Sequence, residues 1–323
     1  MKHLKFLTAL CCMAAVFTAM SITLVSCKKD KTDDPKDPST EQNGGNQNED
    51  ETPAPVTYTL MVLSSNEEMG TVTGGGSYEE GTEATLTATP VSEACVFENW
   101  SDGSTENPRT LTVTENVELT ATFGYAFVDL GLPSGVKWAA CNAGATTPEG
   151  YGGYFAWGET ETKTTYSWAT YKWYNKSGSN ITMTKYCTNS TCGTVDNKTV
   201  LEPEDDAATV NWGGKWRMPT DEEWTELQEN CTWTWVENFN GSGKNGYEVK
   251  GANGNAIFLP AAGFYCDGEN IDGVGSAAPY WSSSLYTTDA SNSNACMRLC
   301  YSTDILDIDA PRYYGHSVRA VTE

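Results

Sequence analysis

From Lys28 to Pro55 the chain has no aromatic residue and, apart from Ala54, no aliphatic one; Asp, Glu, Lys, Pro, Asn, Gln, Gly, Ser and Thr make up the rest. Such a segment cannot bury enough apolar surface to offset the entropy of ordering its backbone. Before it, Phe6 to Leu24 is apolar except at Thr8, Thr18, Ser21 and Thr23, and it follows the basic residues Lys2 and Lys5. That arrangement is an export segment rather than part of a core. A fold must therefore be built from residue 56 onward.

The export segment ends in Leu24-Val25-Ser26-Cys27, a lipoprotein-type cleavage site. Cleavage after Ser26 makes Cys27 the new N-terminus and the point of lipid attachment, and residues 1–26 are a discarded signal peptide. Acyl chains, at about 0.8 kcal/mol per buried methylene, then hold the protein on a membrane. The alternative is an uncleaved transmembrane helix, for which about 20 apolar residues suffice. Lys28 and Lys29 are then the wrong flank for an outward-facing end. Residues 27–55 form an acidic, disordered tether with a reach of roughly 30 Å. Its start, Lys28 to Asp34, resembles the acid-containing signals that carry lipoproteins across the outer membrane of some gut-type diderm bacteria. The expected location is the outer membrane, displayed at the cell surface, with a periplasm-facing lipoprotein as the rival.

With 43 Asp and Glu against 20 Lys and Arg, the chain is a poor match for nucleic acid, whose affinity rests on neutralising phosphates. The acidity is that of an exported, soluble surface and does not imply a cationic partner. The tryptophans are more telling, since nine of eleven lie between Trp138 and Trp235.

Two folded units are expected after the tether. In residues 56–123, apolar and polar residues alternate in Tyr58 to Val62, Ala84 to Ala88 and Val117 to Phe123, which predicts half-buried strands. Gly70 to Gly76 and Gly81-Thr82 supply turns, and Phe97 and Trp100 are candidates to fill a small core. A binding face on Trp100 and Asp102 competes with that core role. The pattern "GTVTGGGSYEEGTEATLTATP", "FENWSDG", "NPRTLTVTENVELTATF" resembles the divergent internalin-B-type repeat, also called the bacterial repeat domain. That resemblance implies a small β-rich spacer.

Residues 124–323 have the length of a single domain. Thr220 and Glu223 make a capping box ahead of Trp224 and Leu227, predicting a helix whose buried face extends to Cys231. A second helix is expected from Pro203, with Glu204, Asp205 and Asp206 in its first turn and Ala207-Ala208 behind. Few helices among short, turn-bounded strands read as an α+β fold.

The segments "FVDLGLPSGVKWAACNAGA", "GGYFAWGET", "DNKTVLEPEDDAATVNWGGKWRMPTDEEWTEL", "GNAIFLPAAGF", "YWSSSLY" and "GHSVRAV" occur in this order. They resemble the Fibrobacter succinogenes major paralogous domain, which is related to the formylglycine-generating sulfatase-modifying enzymes. The resemblance implies a C-type-lectin-like head. The related enzymes use a cysteine pair with copper; Cys296 and Cys300 stand near that place, but four apart rather than five. On a strand they share a face about 13 Å apart and cannot form one site. The expectation is therefore a non-enzyme without a cofactor, and a copper-dependent cysteine-oxidising enzyme is the remote alternative.

The head contains seven cysteines, an odd number, so at least one thiol is free or pairs outside it. Cys187 and Cys192 could close a small loop, since Asn189-Ser190 suits a tight turn. No CxxC pair and only two histidines, His3 and His316, argue against zinc. Carboxylates at Glu202, Glu204, Asp205 and Asp206 are the calcium candidates, against a simpler role at a helix N-terminus. Tyr166, Trp168, Tyr171, Trp173 and Tyr174 lie among Lys, Ser, Thr and Asn, where exposed rings would mark a binding surface and buried ones a core plug. Together these readings describe a surface-anchored lipoprotein with a non-catalytic head that recognises a glycan or a protein. A structural or assembly component of the envelope or an appendage is the alternative.

Overall fold

The computed structural model describes residues 54–177, 180–288 and 291–323. The export segment, Cys27 and most of the tether lie outside the described residues. Among the described residues the regular structure is mostly β-strand in small sheets, with few helices.

The repeat is a pair of facing sheets. One has the order β3 (Gly76–Glu79), β1 (Thr57–Ser64), β7 (Val117–Tyr125), β5 (Cys95–Trp100), with β1 and β7 parallel. The other has the order β2 (Gly70–Thr73), β4 (Thr82–Pro90), β6 (Arg109–Val113). The alternation seen in the sequence turns Leu60, Ala84, Leu86, Ala88, Leu119, Ala121 and Phe123 into the gap between them. Gly70 is required there: a Cβ would meet the Phe123 ring at 2.1 Å. Trp100 is fully buried, and its indole N–H donates to Glu106 O at 2.9 Å. Asp102 accepts from Arg109 at 2.8 Å, which holds its carboxyl below the usual range. The Trp100–Asp102 face is accordingly a core plug beside a surface ion pair.

The head begins on β8 (Phe127–Val128) and β9 (Lys137–Ala139), which form a sheet with the final strand, β20 (Val321–Thr322). A hairpin, β10 (Tyr174–Ser177) and β11 (Asn180–Met183), precedes the helices. Sequence reading placed one helix from Pro203; instead Pro203–Asp205 is a single 3₁₀ turn and α1 runs Ala207–Trp212. The break falls at Asp206, which stays extended as the N-cap and accepts from Ala208 N and Thr209 N, both at 2.9 Å. The capping box forms as expected at α2 (Asp221–Asn230), with Glu223 N donating to Thr220 Oγ1 and Thr220 N to Glu223 Oε2. Cys231 does not extend the helix face. It turns extended and opens β12 (Cys231–Val236), which pairs with β13 (Gly246–Gly251) and then β14 (Ala256–Pro260).

A short pair, β15 (Phe264–Tyr265) and β16 (Ile271–Asp272), leads to the central sheet of β17 (Ala277–Leu285), β18 (Asn294–Tyr301) and β19 (Ile305–Pro311). β17 is buried along nearly its whole length, as a strand covered on both faces must be. One cluster holds Trp157, Trp281 and Met297; another holds Trp138, Trp224, Leu227 and Tyr280. Trp224 Nε1 donates to Trp281 O at 3.2 Å, tying α2 to β17.

So many turns leave carbonyls without ladder partners, and a buried carbonyl must find a donor. Buried arginines supply them. Arg319 donates to Ala139 O, Ala140 O, Phe258 O and Asn142 Oδ1 at 2.7–2.9 Å. Arg312 donates to Lys185 O, Tyr186 O, Asn292 O and Tyr171 Oη at 2.9–3.2 Å. Each guanidinium ties together segments far apart in sequence, a use that its five donors allow.

Candidate functional site

The segment 166–174 enters the head as an extended turn, a short 3₁₀ turn at Trp168–Thr170, and β10. Its five aromatic residues separate by environment. Tyr166 and Tyr171 are buried and fall to the core-plug alternative. The Tyr166 hydroxyl donates to Tyr154 O, its ring stacks on Tyr265 at 4.7 Å, and a Cβ at Gly315 would touch it at 2.7 Å. Tyr171 donates to Trp157 O at 2.8 Å and accepts from Arg312 Nε at 3.0 Å. Burial pushes both phenols up to about 12. Trp173 is half-buried and committed as well: its N–H bonds Gly158 O at 2.9 Å, while Lys172 and Lys185 lie over its ring at 4.3 and 5.1 Å.

Trp168 and Tyr174 remain, stacked at 5.3 Å with 26° between their planes. Tyr313 joins them, 4.7 Å from the Trp168 ring, and Tyr314 lies 4.9 Å beyond. All four are half-buried. Trp168, Tyr174 and Tyr313 form a partly open aromatic shelf over a floor of Tyr166, Tyr171, Met183, Cys187 and Cys192, while Tyr314 packs on the cluster of Trp157 and Trp281. Tyr313 and Tyr314 had no local signal in the sequence: they follow Arg312 at the end of β19, and only the fold carries them to a segment some 140 residues earlier. The shelf can stack on the C–H face of a ring or on a flat apolar group. Nearby, Asp267 and Glu269 are exposed carboxylates that can accept hydrogen bonds.

The acidic candidates are otherwise engaged. Glu202, Glu204 and Asp205 do converge, but the Lys185 ammonium lies among them, 2.5 Å from Glu202 Oε2, 3.5 Å from Glu204 Oε1 and 2.5 Å from Asp205 Oδ2. A Lys185 charge sits where a calcium ion would have to sit. Burial opposes ionisation of Asp205, yet hydrogen bonds from Lys185, Tyr186 and Lys172 hold its carboxyl below the usual range. Asp206 points away, to the start of α1 and to Met218 N at 2.8 Å. Burial raises its carboxyl above the usual range, with the backbone N–H groups opposing.

Cys296 and Cys300 occupy one strand, β18, whose register with β19 is unbroken from Asn294 to Cys300. Four residues of such a strand span about 13 Å. Burial pushes both thiols up to about 12, so neither is a ready thiolate. A cleft of about 540 Å³ lies where the repeat meets the head, lined among others by Tyr125, Phe155, Glu161 and Trp212, and none of the candidate binding, metal or cysteine residues named from the sequence lines it.

No curated protein and no solved structure matches the chain. The family model of the divergent InlB B-repeat domain matches residues 58–126, the two-sheet repeat from β1 to the end of β7.

Proposed function

We propose that this protein is a lipid-anchored envelope protein, held at Cys27 and displayed at the cell surface, whose head recognises a glycan without transforming it. In this reading residues 27–55 are the tether, the repeat is a spacer, and residues 124–323 are a C-type-lectin-like head of the major paralogous kind. The carrying observation is the shelf of Trp168, Tyr174 and Tyr313: three touching rings, half-buried, beside aromatic neighbours that are fully committed to the interior. Rings held rigid from below and open above lose little entropy on stacking against a sugar.

The test is affinity electrophoresis of the full chain through gels cast with surface and host polysaccharides. Retardation that Trp168→Ala reduces at least tenfold, with the melting temperature kept within about 2 °C, is the expected result. Equal mobility of the two proteins in every gel sinks the glycan reading; retention on an immobilised host protein instead would move the ligand class. Protease shaving of intact cells, beside a Cys27→Ala variant, tests the location separately.

A second reading, an assembly component touching its own kind, draws on β19. Leu306 and Ile308 are exposed on this edge strand of the central sheet, and unpaired edges invite another chain. Concentration-dependent dimers that Ile308→Lys abolishes would favour it.

A further inference from the structure

The loop from Cys187 to Cys192 forms part of the floor beneath the aromatic shelf, and both of its sulfurs approach one atom. Cys187 Sγ lies 3.0 Å and Cys192 Sγ 2.9 Å from the carbonyl oxygen of Asn189. The two lengths laid end to end limit the sulfur separation to about 6 Å, and a disulfide needs side-chain rotation to close this to about 2 Å. Both residues are buried. The chain reverses between them because Cys192 N bonds Asn189 O at 3.0 Å, while Asn189 Oδ1 accepts from Thr191 N and Oγ1, each at 2.9 Å. Both ends are anchored. Asp196 accepts from Tyr186 N and Cys187 N at 2.8 and 2.9 Å, and Cys192 O accepts from Met183 N at 2.7 Å.

We propose that Cys187 and Cys192 form an intrachain disulfide that pins this loop. The bond forms by exchange with a donor disulfide, either a small one such as oxidised glutathione or that of a thiol oxidoreductase. One cysteine thiolate attacks the donor and gives a mixed disulfide; the other attacks that and closes the Sγ–Sγ bond. Two S–H bonds are lost, and the two electrons and two protons leave with the donor as two thiols. Burial, and then the neighbouring Cys187 sulfhydryl, push the Cys192 thiol up to about 11. Closure is therefore slow once the loop is packed and fast while it is open during folding.

Trypsin provides a direct readout, because cleavage after Lys185 and Lys198 releases both cysteines in the single peptide Tyr186 to Lys198. The full chain is refolded from denaturant with oxidised and reduced glutathione, quenched in acid, alkylated, digested and weighed. A peptide two hydrogens lighter than the dithiol, unalkylated, that takes two alkyl groups only after reduction supports the bond. Two alkyl groups without reduction, a glutathione on either sulfur, or a link to another peptide overturns it. As a second readout, Cys192→Ser should lower the melting temperature of the oxidised protein by several degrees, and dithiothreitol should largely erase that difference. A difference that persists in dithiothreitol shows that the loss comes from packing and counts against the bond.

Discussion

The ring of Tyr125, last residue of the repeat's strand β7, stacks on Trp212, last residue of the head's helix α1, at 4.2 Å with 16° between their planes. Trp216 meets both edge-on, at 6.4 and 5.0 Å. Residues 54–323 form one compact unit, and this triad lies at the join. A repeat fixed to the head in this way holds the two in one orientation. A double-mutant cycle of Tyr125→Ala and Trp212→Ala in urea should give a coupling of about 0.5–1.5 kcal/mol, the worth of an aromatic pair beyond its buried area. A coupling near zero would reduce the stack to a surface contact.

Lys185 leads to a prediction about metal. Its ammonium lies between Glu202, Glu204 and the buried Asp205, and with Lys172 and Lys198 it balances their charge, so the native protein should show no change in melting temperature between millimolar calcium and a chelator. Lys185→Met leaves the carboxylates with Lys172 and Lys198 and should cost about 3 kcal/mol, in line with breaking a largely buried ion pair. That variant, unlike the native chain, should regain part of the loss in calcium. Calorimetric calcium binding by the native protein would show that Lys185 yields its place.

Arg312 should be among the least replaceable residues in the head. It is fully buried, packs 4.9 Å from the Trp157 ring, and holds the carbonyls of Lys185, Tyr186 and Asn292. Arg312→Met takes the donor from the carbonyls of Lys185 and Tyr186, at about 1–3 kcal/mol each, offset in part by relief of a desolvated charge. A net loss of about 3–5 kcal/mol in urea melts is expected, with Arg312→Lys between it and the native protein because an ammonium satisfies fewer carbonyls. Equal stability of the two variants would mean that the fork geometry does not matter.

What the sequence discloses follows from how local each cause is. The capping box of α2 lies within four residues, and the repeat's alternation needs only a strand's own length, so both are readable. The roles of Arg312 and Arg319 are not, because which carbonyls lack ladder partners is decided only when distant loops meet. The aromatic segment illustrates the same limit. Tyr166 and Trp168 stand two residues apart in equally polar surroundings, yet the first is sealed by Gly315 and Tyr265 while the second opens onto the shelf. Composition marked an aromatic segment and could not say which of its rings are buried. It was equally silent about Tyr313 and about the break at Asp206, whose carboxylate caps α1 instead of lying within its first turn.

His316 carries the pH prediction. It is fully buried against the rings of Trp281, Phe264 and Tyr314, and neither ring nitrogen has a hydrogen-bond partner of good geometry. Burial drives its pKa down to about 3, from 6.5 in an unfolded chain. Between those values the unfolded state binds a proton that the folded state refuses. The neutral imidazole's contribution is thus complete above about pH 6.5 and is lost as pH falls toward 3, at up to about 1.4 kcal/mol per pH unit. His316→Phe keeps a ring in the cluster and removes the titration. Subtracting the two proteins' unfolding free energies from pH 7.5 down to pH 4 should therefore leave a slope that steepens below pH 6.5, with the variant the more acid-resistant. Parallel curves would mean that His316 is protonated in the folded state or solvated by water, and that the acid sensitivity of the head lies in its carboxylates instead.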